Sequence, residues 1–352
     1  MIDTHDEATL IVTSLLIAEA RTVTPVERWL VLGGDGALVA QVAGMGGEVH
    51  WRAVDAREVA RAPAGVVVTG AIDSETYDSV LLPLPADRNL ARRWLLQASD
   101  GLEPGGVLIL AGANAEGAKS VTADAARVFG APVAEHYRQK HRIARFRKTE
   151  EARDLPAWAS AGGIVPGTWQ QFDVDLGEDV VTLETQPGVF AGNRLDAGTR
   201  LLLQHLEVEQ GARVLDVGCG AGAIGIAASR LGAGHVDLVD ANLLAVETSE
   251  RNLERLGVPG RALASDVFSG VPNARYDLIV SNPPFHRGKQ VDYSVANRLI
   301  GEAPEHVMRG GRLLVVANAF LAYGKQMERV FRQVETIAAT RQYHILAGTE
   351  PR

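Results

Sequence analysis

A short apolar strand that runs into a glycine-rich turn constrains the fold of this chain more than any other feature. Residues Arg213–Val217 are typical of a buried strand, and residues 218–222, which we call the glycine turn, read Gly-Cys-Gly-Ala-Gly. A helix-like segment, Ile224–Leu231, follows directly. Glycines let the backbone pass close to a ligand just before a helix begins. Because similar strand-like and helix-like segments alternate along the chain, we expect parallel sheets with crossover helices.

Acidic residues at the ends of neighbouring strands indicate a nucleoside cofactor. Asp240 ends the next strand, where it is placed to accept hydrogen bonds from a ribose diol. Asp266 follows a third, weaker strand, where a carboxylate is placed to reach an adenine amino group. The predicted cofactor residues of this sheet edge are Asp216, Gly218, Gly220, Gly222, Asp240 and Asp266.

Two cofactors share this pattern, and the acidic residue before the turn distinguishes them. Gly220, Gly222 and Gly225 satisfy the spacing G-x-G-x-x-G, so a nicotinamide dehydrogenase is an alternative. Asp216 would face the pyrophosphate of a dinucleotide, which is unfavourable. The same carboxylate suits the amino-acid end and the cationic sulfonium of S-adenosylmethionine, which is therefore the predicted cofactor.

An Asn-Pro-Pro-Phe tetrad at residues 282–285 follows a fourth strand and predicts the acceptor. Methyl transfer is an in-line displacement, and the lone pair of an aromatic amine is spread into its ring. Asn282 Oδ1 and the Pro283 carbonyl would accept the two amine hydrogens and direct the lone pair at the methyl group, while Phe285 would stack on the base. These three are the predicted catalytic residues. The alternative is a structural Pro-Pro turn with Phe285 in the core.

The two halves of the chain resemble each other. Segment 77–81 parallels 276–280, and segment 105–110 parallels 310–315. The halves differ where chemistry would occur, because the first has Leu-Pro-Leu-Pro in place of the tetrad and a shorter glycine turn. We therefore interpret the first half as a degenerate copy that holds substrate or supports structure without a cofactor.

These observations predict three regions. Residues 1–150 would form the degenerate domain, residues 151–169 a linker rich in proline and glycine, and residues 170–352 the catalytic domain. The fold class is α/β, with two tandem Rossmann-like domains that are each a doubly wound, mostly parallel sheet.

Composition excludes several classes of protein. Cys219 is the only cysteine, which excludes an internal disulfide and a cysteine zinc site and suits a reducing cytoplasm. No histidine pair or carboxylate cluster has the spacing of a metal site. Leu10–Ala18 is too short to span a membrane and follows acidic residues, so a first helix is expected. The net charge of −8 means that any RNA contact must come from local basic patches.

Beyond these local patterns, the sequence resembles a known family. It looks like the bacterial methyltransferases that modify guanine N2 in small-subunit ribosomal RNA, of the RsmC type, with the large-subunit RlmG enzymes as near relatives. The motifs that carry the resemblance are Pro-Gly-Val-Phe at 187–190, Leu-Asp-Ala-Gly-Thr at 195–199, Asn-Pro-Pro-Phe-His at 282–286 with Gly288, and Ala-Asn-Ala-Phe-Leu-Ala-Tyr at 317–323. The resemblance implies two class I methyltransferase domains, with S-adenosylmethionine bound only by the second. It also implies a guanine in 16S rRNA as substrate, within the small subunit or an assembly intermediate.

Further residues have candidate roles. Asp196 and Thr199 would cover the cofactor from upstream, or Asp196 would cap a helix. The segment from His136 to Lys148 is basic and would offer RNA one basic strand face, or be an ordinary solvated face. The candidate substrate-binding residues are Pro284, His286, Arg287, Lys289, Arg142 and Arg145.

Other functions stay open at this stage. The tetrad would equally serve adenine N6 in DNA or RNA, a guanine in 23S rRNA, or a protein glutamine amide. A non-catalytic ribosome-assembly factor and the dehydrogenase are more distant alternatives. We expect a cytoplasmic monomer with ribosomal RNA as its partner and no membrane contact.

Overall fold

The computed structural model describes residues 4–23, 25–70, 76–150, 154–177, 179–190, 192, 194–283 and 293–352. The chain divides into two compact units, Met1–Trp169 and Gln170–Arg352. No helix among the described residues is both long enough and apolar enough to cross a membrane.

The first unit alternates strands and helices, as its sequence pattern predicts. Its elements are α1 (Thr4–Ala20), β1 (Arg28–Leu32), α2 (Gly36–Ala43), β2 (Glu48–Arg52), α3 (Ala56–Val59), β3 (Val66–Val68), β4 (Tyr77–Pro83), α4 (Arg88–Gly101), β5 (Leu102–Ala113), α5 (Ala118–Phe129), β6 (Ala134–Arg138) and β7 (His141–Arg147).

The second unit begins with a β-hairpin and then repeats the alternation. Its elements are β8 (Gln170–Asp175), β9 (Val180–Thr185), α6 (Ala197–Leu203), β10 (Arg213–Val217), α7 (Ala223–Arg230), β11 (His235–Asp240), α8 (Leu243–Leu256), β12 (Gly260–Ala264), β13 (Tyr276–Ser281), α9 (Ser294–His306), β14 (Val307–Asn318), α10 (Tyr323–Val330), β15 (Phe331–Ala339) and β16 (Tyr343–Pro351). The strand predicted over Arg213–Val217 has the observed bounds.

Both units contain a seven-stranded sheet with the same strand order. The order is β3-β2-β1-β4-β5-β7-β6 in the first unit and β12-β11-β10-β13-β14-β16-β15 in the second. The first five strands of each sheet pair in parallel, and the last two pair antiparallel. The predicted fold class, two α/β domains with mostly parallel sheets, is confirmed.

The duplication extends to single hydrogen bonds. The Asp78 carboxylate accepts from the Arg28 backbone N–H at 2.8 Å, and the Asp277 carboxylate accepts from the Arg213 backbone N–H, also at 2.8 Å. Asp78 is the second residue of β4, which pairs with β1, and Asp277 is the second residue of β13, which pairs with β10. At each aspartate the pairing with the next strand, β5 or β14, shifts in register. Such agreement in side-chain detail supports descent of both units from one ancestral domain.

The central strand of the second unit is buried on both faces, as expected when helices cover both sides of a parallel sheet. Alternate residues point to opposite faces. Val214 packs in the core that includes α6 and α7, whereas Leu215 and Val217 pack in the core that includes α9 and α10. The carboxyl end of β10 is therefore fixed on both sides, and the glycine turn begins from a rigid point.

The short glycine turn of the first unit is covered by its own side chains. Gly33 has a φ of +78°, and a Cβ placed there would lie 2.8 Å from the ring of Trp94, which is buried. The Trp51 indole N–H donates to the Gly33 carbonyl at 2.7 Å. Two tryptophans thus occupy the space around this turn, where the second unit has an open glycine turn.

The segment predicted as a linker, 151–169, belongs to the first compact unit. Arg93 of α4 is buried and donates from its guanidinium to the carbonyls of Gly163 at 2.7 Å, Thr168 at 3.0 Å and Val165 at 3.3 Å. Trp158 and Ile164 are buried in a small apolar cluster with Leu96. Part of the segment is therefore packed on the first unit through Arg93, and its predicted role as a linker stays a prediction.

Candidate functional site

The glycine turn joins β10 to α7 through left-handed backbone. Gly218, Gly220 and Gly222 have φ values of +74°, +58° and +83°, which side chains with a Cβ rarely adopt. A Cβ at Gly218 or Gly220 would meet no atom within 4 Å among the described residues. The turn is therefore open on the side where a ligand would approach.

Asp240 lies against this turn from the end of β11. Its Oδ2 accepts a hydrogen bond from the Gly220 N–H at 3.0 Å, and its Oδ1 accepts from the Asn242 N–H at 2.8 Å. Both bonds hold the carboxylate at the carboxyl edge of the sheet. The position agrees with the role predicted for it toward a ribose diol, which stays a prediction.

Asp216 lies beneath the turn and is fully buried. Its Oδ2 accepts from the Gly225 N–H at 3.0 Å, and its Oδ1 has no hydrogen-bond partner among the described residues. Burial raises the pKa of this carboxyl to about 7; the Gly225 bond opposes the rise, and the nearby negative charge of Asp240 adds to it. A cationic ligand above the turn would stabilise the ionised form.

Asp266 follows β12 and is engaged by another element. Its Oδ2 accepts from the Arg298 guanidinium of α9 at 2.6 Å, and its backbone N–H donates to Ser269 Oγ. The next residue, Val267, has a φ of +59°, which is unusual for a β-branched residue. The predicted contact of Asp266 with an adenine amino group remains a prediction, to which the structure adds Arg298 as a partner of the carboxylate.

Asn282 begins the segment after β13 and lies next to the glycine turn. Ser281 pairs with Val217 in the parallel ladder, and its hydroxyl donates to the Val217 carbonyl at 2.7 Å. The Asn282 amide nitrogen donates to Asp196 Oδ2 and to Thr199 Oγ1, each at 2.9 Å. Its Oδ1 is buried and has no hydrogen-bond partner in the described part of the chain. Pro283 is buried beside it.

Asp196 and Thr199 lie at the start of α6. Asp196 is the N-cap, and its Oδ2 accepts from the backbone N–H groups of Gly198 at 2.8 Å and Thr199 at 3.2 Å. The helix-capping alternative is therefore observed. Their predicted contact with the cofactor stays a prediction, and the structure gives both side chains a further partner, Asn282.

One concave surface joins some of these features, but Asp216, Asp240 and Asp266 are not among its lining residues. Its walls are the glycine turn, the start of α6 and Asn282, together with residues that the sequence analysis assigned no role: Phe172, Phe190, Arg194, Leu195, Ala223 and Ile224. Phe190 is 67% exposed at the edge of this surface. The only feature of the sequence that singled out Phe190 was its place in the Pro-Gly-Val-Phe motif at 187–190.

Five predicted residues cannot be located. Pro284, Phe285, His286, Arg287 and Lys289 lie outside the described residues. Their predicted roles in stacking on a base and in contacting phosphates remain predictions from the sequence.

Arg142 and Arg145 of the first unit do not share one strand face, and their predicted contact with RNA stays a prediction. Arg142 and Arg145 both lie on β7, but an odd separation along a strand puts their side chains on opposite faces. Arg142 forms an ion pair with Glu135, and Arg145 forms one with Glu19 at 3.2 Å. Both guanidinium groups thus have carboxylate partners within the unit, which the local run of basic residues did not reveal.

Metal chemistry has no candidate centre in the described residues. They contain no group of three or more His, Cys, Asp or Glu side chains arranged to hold a metal ion. Cys219 of the glycine turn is buried, and its sulfur contacts Ser249 Oγ at 3.3 Å.

Comparison with known proteins gives a consistent set of relatives. A family model described as Methyltransferase small domain matches residues 180–347. A protein of Aeromonas hydrophila named Ribosomal RNA small subunit methyltransferase C is 33% identical over 272 residues, which are 76% of each chain. A protein of the same name from Chromohalobacter salexigens is 40% identical over 58% of this chain and 62% of its own length.

A solved structure resembles the whole chain. It is described as a 16S rRNA N2 methyltransferase of T. thermophilus in complex with AdoMet and guanosine. It superposes with a TM-score of 0.81 at 29% identity and covers 97% of this chain and 92% of its own. The similarity therefore extends through both units.

Proposed function

Because this chain belongs to the ribosomal RNA small subunit methyltransferase C family, we propose that it transfers a methyl group from S-adenosylmethionine to the exocyclic N2 of a guanine in 16S ribosomal RNA. The family resemblance that the sequence motifs predicted is confirmed. The observation that carries the proposed chemistry is the buried Oδ1 of Asn282, which has no hydrogen-bond partner among the described residues and lies beside the open glycine turn.

The second unit has the features that S-adenosylmethionine requires. The glycine turn is open, Asp240 lies at the sheet edge, and the buried Asp216 has an oxygen without a partner in the described residues. S-adenosylmethionine supplies the methyl group on a cationic sulfonium sulfur. We expect Asp240 to accept from the ribose hydroxyls, and the negative charge of Asp216 to favour a cation over a pyrophosphate.

The proposed role of Asn282 is to orient the acceptor nitrogen. The lone pair of a guanine amino group is delocalised into the ring, so the group is a weak nucleophile in its planar form. Asn282 Oδ1 and the Pro283 carbonyl would accept the two amine hydrogens and leave the lone pair directed at the methyl group. The positively charged product amine can lose its proton to water, so the mechanism needs no general base from the protein.

Ribosomal RNA of the small subunit, assembled or under assembly, is the proposed partner. The T. thermophilus relative is described with guanosine bound, which favours guanine over adenine or glutamine as the acceptor. We propose that the first unit holds substrate or supports structure without a cofactor, since Trp94 and Trp51 occupy the space around its glycine turn. The protein is proposed to act as a monomer.

An Asn282→Ala variant tests the chemistry. We expect kcat to fall on the order of a hundredfold or more, by analogy with removal of one preorganised polar group from an active site. The affinity for S-adenosylhomocysteine should be unchanged, because Asn282 would contact the acceptor and not the cofactor. The measurement is transfer of labelled methyl to 30S particles from cells without this protein, with the product nucleoside identified by mass spectrometry.

Asn297→Ala, an exposed asparagine of α9, is the matched control and should keep wild-type turnover. Full activity of Asn282→Ala would contradict the proposed mechanism. Methylation of 23S rRNA, of adenine or of a protein in place of guanine N2 would contradict the proposed substrate.

A further inference from the structure

Two side chains hold the amide group of Asn282 in one of its two orientations. The Asn282 amide nitrogen donates to Asp196 Oδ2 and Thr199 Oγ1, both at 2.9 Å, and its Oδ1 lies buried on the other side. We propose that Asp196 and Thr199 are positioning residues that keep the oxygen of Asn282, and not its NH₂ group, directed at the acceptor amine. This inference rests on the proposed function, since it concerns the same reaction.

The chemistry of the partners decides the orientation. An ionised carboxylate has only acceptor atoms, so Asp196 can bind the NH₂ end of the amide but not its oxygen. If the amide were rotated by 180°, Asn282 Oδ1 would face Asp196 Oδ2 at the same short distance. The NH₂ group would then face the guanine amine, donor against donor, and no hydrogen bond would direct the lone pair.

The backbone around Asp196 makes it a rigid support. Asp196 Oδ2 accepts from two backbone N–H groups at the start of α6 as well as from Asn282. A Cβ at Gly198 would lie 2.8 Å from Val316 and 3.1 Å from Asp196 Oδ2, so only glycine lets α6 begin this close to the sheet. Helix capping and amide orientation therefore depend on the same oxygen atom.

The test uses pairs of variants that separate the contact from the helix cap. Thr199→Val removes the hydroxyl acceptor at nearly constant shape, and Thr199→Ser retains it. Asp196→Ser keeps a good N-cap but is too short to reach Asn282, whereas Asp196→Asn keeps both the cap and an acceptor oxygen. Each removed acceptor should lower kcat about tenfold, because it leaves a buried donor unpaired. The double variant Asp196→Ser/Thr199→Val should approach Asn282→Ala, and the two conservative variants should recover most of the loss.

A double-mutant cycle with Asn282→Ala shows whether Thr199 changes kcat through Asn282. If Thr199 acts through Asn282, Thr199→Val should change kcat in the wild-type background and leave it unchanged in the Asn282→Ala background. Equal losses in both backgrounds would overturn the positioning role. A rise in the Kd for S-adenosylhomocysteine with unchanged kcat at saturating cofactor would also overturn it, in favour of cofactor contact.

A second readout does not depend on turnover. In protein labelled with ¹⁵N-asparagine, the side-chain NH₂ signal of Asn282 is identified by its loss in Asn282→Ala. We expect its protons to exchange slowly in the wild type and much faster in the double variant; equal exchange would overturn the inference. If the wild-type protein does not methylate guanine N2, the proposed function is overturned. The NH₂ signal of Asn282 would still show whether Asp196 and Thr199 hold the amide.

Discussion

Asp216 combines complete burial with a position beneath the glycine turn. The only hydrogen bond to its carboxylate in the described residues comes from the Gly225 N–H, which leaves the ionised form poorly solvated. Burial, with a smaller contribution from the charge of Asp240, therefore raises the pKa of its carboxyl to about 7. In the absence of a ligand, protonation of this one group should influence stability near neutral pH.

The first prediction concerns the pH dependence of unfolding. Since the pKa of Asp216 is higher in the folded than in the unfolded chain, the folded state binds the extra proton between about pH 4 and pH 7. Its stabilising contribution is complete below pH 4 and is lost as the pH rises to 7. The free energy of unfolding should fall by about 1.4 kcal/mol per pH unit in this window because of Asp216.

Urea unfolding of the wild type and of Asp216→Asn at several pH values isolates this contribution. Asparagine can still accept from Gly225 but does not ionise, so the difference between the two proteins should change with pH. A constant difference from pH 4 to pH 7 would contradict the raised pKa.

At the level of elements, α7 packs closely on β11, and Gly225 is the residue of α7 that allows this close approach. A Cβ at Gly225 would lie 2.1 Å from Leu238 Cδ2 and 3.4 Å from the Asp216 Cβ. At Gly218, by contrast, there is space for a Cβ but the φ of +74° disfavours one. The two glycines therefore serve different purposes within the same strand–turn–helix unit.

The second prediction contrasts these positions. Gly225→Ala should lower the free energy of unfolding by about 2 kcal/mol, because Leu238 must move to make room. Gly218→Ala should lower it by about 1 kcal/mol through backbone strain, and should weaken binding of S-adenosylhomocysteine more than Gly225→Ala does. Thermal unfolding and calorimetry measure both effects. If the two variants had the same profile, the distinction between a packing glycine and a ligand-facing glycine would be wrong.

The segment 154–169 depends on one side chain of α4. The Arg93 guanidinium binds three of its carbonyl groups, and both the arginine and Trp158 are buried. A charged donor that satisfies buried carbonyl groups stabilises more than a neutral one.

The third prediction is that Arg93→Met lowers the free energy of unfolding by about 3 kcal/mol, because three carbonyl groups lose a charged donor. The segment 154–169 should also become sensitive to limited proteolysis. Arg127→Met on the exposed face of α5 is the control and should behave as the wild type. Unchanged protease resistance of Arg93→Met would show that other contacts hold the segment.

At the scale of the whole molecule, each unit has a complete sheet with the same strand order. Two described core clusters of the second unit have their buried residues between Val174 and Ala347. The glycine turn, Asp240, Asp196 and Asn282 all belong to the second unit. Folding and cofactor binding should therefore be properties of this unit alone.

The fourth prediction is that residues 170–352, produced alone, fold and bind S-adenosylhomocysteine within about twofold of the affinity of the full chain, as expected for a domain with its own core. Circular dichroism and calorimetry measure this, with the first unit, residues 1–169, as the control that should not bind. An unfolded fragment, or one without affinity for the ligand, would contradict the independence of the two units.

The sequence by itself determined the fold class, the family and the placement of Asn282 beside the glycine turn. Local patterns suffice for these, because strands and helices have periodic signatures and the carboxyl ends of parallel strands meet at one sheet edge. For this reason the strand over Arg213–Val217 has its predicted bounds, and the helix predicted over Ile224–Leu231 is observed over Ala223–Arg230.

Only the tertiary structure decided which side chains pair. Asp196 and Asn282 are 86 positions apart, and Arg145 and Glu19 are 126 apart, so no local pattern joins them. For the same reason the run of basic residues did not reveal that Arg142 and Arg145 pair with Glu135 and Glu19, and the segment rich in proline and glycine did not reveal its hydrogen bonds with Arg93. A buried polar group needs a partner, and the packing of distant elements determines which partner is within reach.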